Sequence, residues 1–286
     1  MKAAIRGTEI YFDIAGMQHI PQDGKIIERP VIFLLHGGPG GDHLRYKQHT
    51  LVLQNIAQLV FIDHRGCGSS KKTKQEDYTL ENNIEDIESL RKYLGFNKIC
   101  ILGASYGGMV AQGYAIRYPQ NLDKLILVAT APSHNFITEA KEFIAKNGTQ
   151  EQKDICEHLW RGDFESLEQF KEYLRLMEPI YSVVARNTMQ EVFTKKELSY
   201  CIEALNEGFG GFLKEYNFIP HLHKITCPTL IMAGEEDWIN SVNQSKIIAE
   251  NISNSKLRIF KNCAHVVATD ANQAYIDEVV AFLATN

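Results

Sequence analysis

The sequence predicts an α/β protein built on a mostly parallel sheet. Short apolar runs bounded by Gly or Pro recur along the chain, and amphipathic helical patterns fill the intervals between them. After Pro132 the alternation stops for roughly ninety residues and then resumes, which predicts an inserted unit.

Taken in order, Lys2 to Arg6 and Glu9 to Ile14, parted by Gly7-Thr8, read as a β-hairpin at a sheet edge. The runs Val31 to Leu35, Leu59 to Ile62, Ile99 to Leu102, Leu125 to Val128 and Thr229 to Met232 are apolar without alternation, as parallel strands covered on both faces are. Lys256 to Phe260 is a weaker sixth. Thr79 as N-cap, then Leu80, Ile84, Ile87, Leu90 and Leu94 at spacings of three and four, then Gly95, predict a helix with one face on the sheet. Gly107 to Tyr118, rich in small residues and stopped by Pro119, predicts a second helix that packs closely on strands. In the insertion, Glu139 to Ala145, Gln152 to Trp160, Glu165 to Glu178 and Lys195 to Asn206 show helical spacing. The organisation expected is a core of residues 1–132 and 224–286 with a helical cap of residues 133–223 inserted after the sixth strand.

Composition excludes several classes of function. Thirty Lys and Arg against 35 Asp and Glu, scattered along the chain, form no basic stripe for phosphates, so nucleic acid is not an expected partner. No apolar stretch reaches membrane-spanning length, and charges within Met1 to Arg6 interrupt what a secretory peptide would need; a cytoplasmic protein without a membrane partner is expected. The six cysteines, with no C-x-x-C pair, read as free buried thiols, and no metal or cofactor is expected. The oligomeric state is not legible.

The strongest local signal is Gly103-Ala104-Ser105-Tyr106-Gly107, set between a strand and a small-residue helix. A sharp turn there holds Ser105 in a strained conformation with its hydroxyl exposed at the helix N-terminus. A serine hydroxyl needs a base, and His265, just past the last strand, is the candidate among ten histidines. His36, His64, His221 and His223 read as structural or substrate-facing. The acid that orients the base should follow the strand from Thr229, where Gly234-Glu235-Glu236-Asp237 offers three carboxylates. A turn at Gly234 carries Asp237 across the sheet toward His265, leaving the two glutamates to solvent. The loop His36-Gly37-Gly38-Pro39-Gly40 is suited to supply an oxyanion donor, and the backbone N–H groups of Gly38 and Tyr106 are assigned that role. Serine, acid and base in this order on this strand pattern predict the α/β-hydrolase fold, with an eight-stranded sheet. Dehalogenase and epoxide-hydrolase chemistry need a carboxylate at the turn, and Ser105 excludes both.

His36-Gly37-Gly38-Pro39-Gly40, Asp63-His64-Arg65-Gly66-Cys67-Gly68-Ser69-Ser70 and Gly103-Ala104-Ser105-Tyr106-Gly107-Gly108 together resemble the prolyl aminopeptidase (proline iminopeptidase) family. The resemblance extends into Pro228-Thr229-Leu230 and Asp237, and is loose over the cap. It implies a cytoplasmic, metal-free hydrolase that removes an N-terminal residue, often proline, from short peptides. It also implies a cap acid that holds the substrate amine, with Glu207 the nearest match. Many members carry a second acid directly after the catalytic aspartate, where this chain has Trp238, a residue suited to lining an apolar pocket. An esterase or lactonase acting on small acyl esters fits the same three residues, and a non-catalytic receptor fits the same fold.

Overall fold

The computed structural model describes residues 1–193 and 197–285. Ten strands are present among them: β1 (Lys2–Ile5), β2 (Thr8–Ala15), β3 (His19–Gln22), β4 (Lys25–Glu28), β5 (Val31–Leu35), β6 (Gln58–Ile62), β7 (Ile99–Ala104), β8 (Leu122–Val128), β9 (Thr229–Gly234) and β10 (Ser255–Phe260). Eight of them make one sheet in the order β1-β2-β6-β5-β7-β8-β9-β10, with β1 at the edge as the N-terminal hairpin predicts. Pairing is antiparallel from β1 through β2 to β6 and parallel across the rest.

The central strands β5, β7 and β9 are buried at every residue, which explains their unbroken apolar runs. Side chains of these strands and of β8 alternate between two cores. Phe33, Leu35, Ile101, Leu125, Leu127 and Ile231 face one cluster, while Ile32, Leu34, Leu102, Ile126, Leu230 and Met232 face the other. The first cluster is closed by α2 (Leu80–Tyr93) and α3 (Tyr106–Arg117), the second by α11 (Asn272–Leu283). Thr79 caps α2 by accepting from the Asn82 N–H, and Leu80, Ile84, Ile87 and Leu90 form its buried stripe.

Between β8 and β9 lie α4 (Asn135–Asn147), α5 (Gln150–Arg161), α6 (Leu167–Tyr181), α7 (Val183–Thr188) and α8 (Ile202–Gly210). Their buried residues, including Leu159, Trp160, Tyr173 and Phe209, belong to the same apolar cluster as Phe33 and Leu35. One expected helix differs. Of the pattern Lys195 to Asn206, Lys195 and Lys196 lie outside the described residues, and the helix begins only at Ile202. The backbone before it bonds elsewhere: Ser199 donates to Asp42 at 2.7 Å, and Cys201 donates to the Gly40 carbonyl at 2.8 Å. Those bonds replace the helical ones. The β3–β4 hairpin, absent from the expected elements, is exposed along most of its length and turns at Asp23-Gly24, both at positive φ.

Helices α1 (Leu44–Thr50), α9 (Val242–Asn251) and α10 (Val267–Asp270) complete the core, and none of the described helices is long and apolar enough to cross a membrane.

Candidate active site

Three loops at the C-terminal ends of parallel strands meet under the helical layer, the position at which α/β sheets place their sites. Ser105 stands between β7 and α3 with φ 52° and ψ −122°, a conformation L residues rarely adopt. It is held by its N–H on the Val128 carbonyl at 2.9 Å and by the Thr130 hydroxyl on its own carbonyl at 2.8 Å. The flanking glycines are required by contact. A Cβ on Gly103 would stand 2.3 Å from the Gly107 carbonyl oxygen, and one on Gly107 would stand 2.2 Å from that of Leu35.

Asp237 follows β9, and its side chain is fully buried. One oxygen, Oδ1, accepts from the N–H groups of Ile239 and Asn240 at 3.0 Å each, and Oδ2 accepts from Nδ1 of His265 at 2.8 Å. Glu235 and Glu236 are exposed, and Glu236 pairs with Arg186 at 2.7 Å. The three neighbouring acids are thus sorted by burial, with Asp237 the one that meets the histidine. An Nδ1–H donated to Asp237 leaves Nε2 of His265 as the basic nitrogen.

The loop after β5 passes beside Ser105. A Cβ on Gly37 would lie 3.1 Å from that of Ser105, and Gly38, in a cis peptide with Pro39, lines the same cavity as Ser105 and His265. Tyr106 opens α3, so its N–H belongs to the first helical turn, where N–H groups lack intrahelical partners. Its ring is buried and its hydroxyl accepts from Asn83 at 2.6 Å. His36 and His64 support this loop from below. Nδ1 of His36 bonds the Gly37 carbonyl at 2.8 Å and Nε2 accepts from the His64 N–H at 3.0 Å, while burial lowers the pKa of both rings. They are structural.

The remaining two expected site residues lie elsewhere. Glu207 sits on α8 with its carboxylate accepting from Gln75 at 2.6 Å, and it does not line the cavity. Trp238 is 2% exposed and packs against Trp160 and Tyr181, behind the lining rather than in it. In its place Tyr181 lines the cavity, edge-on to His265 with ring centroids 5.4 Å apart.

The cavity measures about 1000 Å³ with its opening included. Aromatic and aliphatic side chains dominate the wall, among them Phe136, Leu159, Phe170 and Phe209. Two residues important to the site escape sequence reasoning. Asp270 accepts from the Ala264 N–H at 2.9 Å, beside His265, and from Ser182 and the N–H groups of Val183 and Val184 at the start of α7. Asn240 lines the cavity, donates to the Ala129 carbonyl at 2.8 Å, and keeps a buried Oδ1 with no partner among the described residues. A short motif would not mark either, because Asp270 reaches Ser182, Val183 and Val184, and Asn240 reaches Ala129, across more than eighty residues of sequence.

The chain belongs to the α/β-hydrolase fold family, whose model matches residues 30–271. Within that fold it belongs to the proline iminopeptidases. It is 31% identical to the proline iminopeptidase PfmaB of Pestalotiopsis fici, over 98% of this chain and 97% of that one. To the proline iminopeptidase of Saccharolobus solfataricus it is 31% identical, over 87% of this chain and 83% of the other. Among solved structures, Est816, described as an enzyme that degrades N-acyl homoserine lactones, superposes with a TM-score of 0.74 at 20% identity, covering 99% of this chain and all of its own.

Proposed function

We propose that this protein is a serine hydrolase that removes an N-terminal residue, proline or another small residue, from short peptides through an acyl-enzyme on Ser105. The observation that carries the reading is the buried Asp237 carboxylate 2.8 Å from Nδ1 of His265, on the cavity that Ser105 also lines. With Nδ1–H committed to Asp237, Nε2 of His265 takes the Ser105 proton as Oγ attacks the substrate carbonyl. The N–H groups of Gly38 and Tyr106 donate to the oxyanion, and protonated His265 passes its proton to the leaving amine. Water then repeats the sequence on the acyl-enzyme and frees Ser105. Asp42 and Asn240 are among the lining residues that carry an acceptor for a substrate N–H, and Oδ1 of Asn240 has no partner among the described residues. Six free buried thiols suit a reducing compartment, which supports a cytoplasmic setting.

The lining also favours a second reading, an esterase or lactonase acting on small acyl esters. Asp42 is the only carboxylate on the cavity wall among the described residues, and it already accepts from Leu44 and Ser199. A substrate without an ammonium group asks less of such a wall.

Turnover of proline para-nitroanilide and of para-nitrophenyl acetate by the wild type and by Ser105→Ala tests both readings. Replacing Ser105 should lower kcat by roughly 10⁴ to 10⁶ with the fold retained. Ester turnover with no amide turnover would remove the peptidase reading. Absence of both, with no labelling by a fluorophosphonate, would remove the enzyme reading.

A further inference from the structure

Arg45, in the first turn of α1, puts the one arginine on the cavity wall among the described residues. Its guanidinium lies 3.8 Å from the ring centroid of Phe193 and donates to the Tyr200 hydroxyl at 3.3 Å. That hydroxyl donates in turn to the Phe193 carbonyl at 2.5 Å, so its lone pairs face the arginine. A stacked face and one hydrogen bond fix the plane of the group. Among the described residues no carboxylate forms a salt bridge with Arg45; Asp42, the acid on the same wall, is turned to the Leu44 and Ser199 N–H groups and the Ser199 hydroxyl.

A guanidinium stays charged at any physiological pH and carries five N–H donors in a planar fork. Left half-buried on the cavity wall without a salt-bridge partner among the described residues, it bears a desolvation cost that the Phe193 ring offsets only in part. A planar anion is the group that this fork matches, through two parallel hydrogen bonds. Fixed orientation before binding lowers the entropy lost when such a group docks.

We propose that Arg45 binds a carboxylate of the substrate, and that the natural substrates carry a carboxylate besides the carbonyl that Ser105 attacks. The proposal rests on the hydrolase reading and narrows its substrate class. The carboxylate can belong to the leaving group, as in a dipeptide, or to the acyl group, as in a half-ester of a dicarboxylic acid. Arg45 acts on binding, and no step of bond exchange passes through it.

Two matched substrate pairs separate these sources: prolyl-glycine against prolyl-glycinamide, and mono-para-nitrophenyl glutarate against para-nitrophenyl butyrate. The wild type should favour the carboxylate member of one pair by about tenfold or more in kcat/KM, chiefly through KM. Arg45→Ala should abolish that preference, and Arg45→Lys, which keeps the charge without the fork, should retain part of it. Equal losses on charged and neutral members would assign Arg45 a structural role and overturn the proposal, as would a wild type without preference in either pair. Calorimetric titration of glutarate into Ser105→Ala and into Ser105→Ala/Arg45→Ala reads the site without turnover. Binding by the first and none by the second supports the carboxylate site even where the hydrolase reading fails, and equal binding or none by both overturns it.

Discussion

Asp237 shows how much a single carboxylate settles. Its Oδ1 is committed to two backbone N–H groups, so in Asp237→Asn the amide oxygen would keep those bonds and the NH₂ would face His265. The imidazole must then accept at Nδ1 and carry its proton on Nε2, the wrong nitrogen for a base. We expect kcat to fall by about 10⁴-fold with near-UV circular dichroism unchanged; a loss under tenfold would show that this carboxylate does not set the tautomer. The positions of Ser105 and Asp237 are legible because each follows a strand whose apolar run is plain in the sequence, and that of His265 because it follows the weaker run Lys256 to Phe260. Glu207 rests on a loose resemblance over the helical insertion, and Trp238 on a departure from the family pattern directly after Asp237. A side chain on a helix turns to the cavity or away from it by a rotation that such a resemblance does not define, and Glu207 turns to Gln75. Arg45 and Asp270 left no signal, since their partners Phe193, Ser182 and Val183 are far away along the chain.

At the level of elements, Asp270 links α10, the loop before His265 and the start of α7. Removing it in Asp270→Ala strips four donors of their acceptor. This should destabilise the protein by about 2 kcal/mol or more in urea unfolding, because donors left without a charged acceptor are costly. It should also lower kcat by displacing His265, whereas Asp270→Asn, which retains an acceptor oxygen, should recover part of both losses. An alanine variant with wild-type stability would show that water replaces the carboxylate. The central parallel strands β5, β7 and β9 are legible in the sequence because burial on both faces leaves little room for polar residues within them. The β3–β4 hairpin was missed for the opposite reason: its residues are mostly exposed, and only Asp23-Gly24 marks its turn. The helix expected from Lys195 shows a third case, in which hydrogen bonds to Asp42 and Gly40 outweigh local spacing.

At the scale of the whole molecule, a polar cluster that joins α2 to α3 contributes to acid stability. Glu88 on α2 accepts from Arg91 at 2.7 and 2.9 Å and from the Tyr114 hydroxyl of α3 at 2.9 Å, with Lys92 at 3.2 Å. Burial alone would raise its pKa, but the bonds from Arg91, Tyr114 and Lys92 outweigh burial and hold it at about 2, against 4.5 ordinarily. A carboxyl with a lowered folded-state pKa stabilises the fold above its unfolded pKa, and that contribution fades as pH falls from 4.5 toward 2. Glu88→Gln should therefore be less stable than the wild type at neutral pH and converge with it as pH falls to about 2 in urea titrations. Parallel stability curves over that range would show that Glu88 contributes nothing through its charge.

The helical layer over the sheet has a bearing on how such enzymes can be recombined. Ser199 and Cys201 hold the Asp42 and Gly40 positions of the loop that carries Gly38, and Trp160 and Phe209 share one apolar cluster with Phe33. A chimera that imports another helical layer to change substrate range would release the loop to which the oxyanion donor is assigned and open the core beneath it. If Arg45 binds the substrate as proposed, the helical layer and the segment from His36 to Arg45 form the unit to transplant, so that the guanidinium and the loop that faces Ser105 travel as one piece.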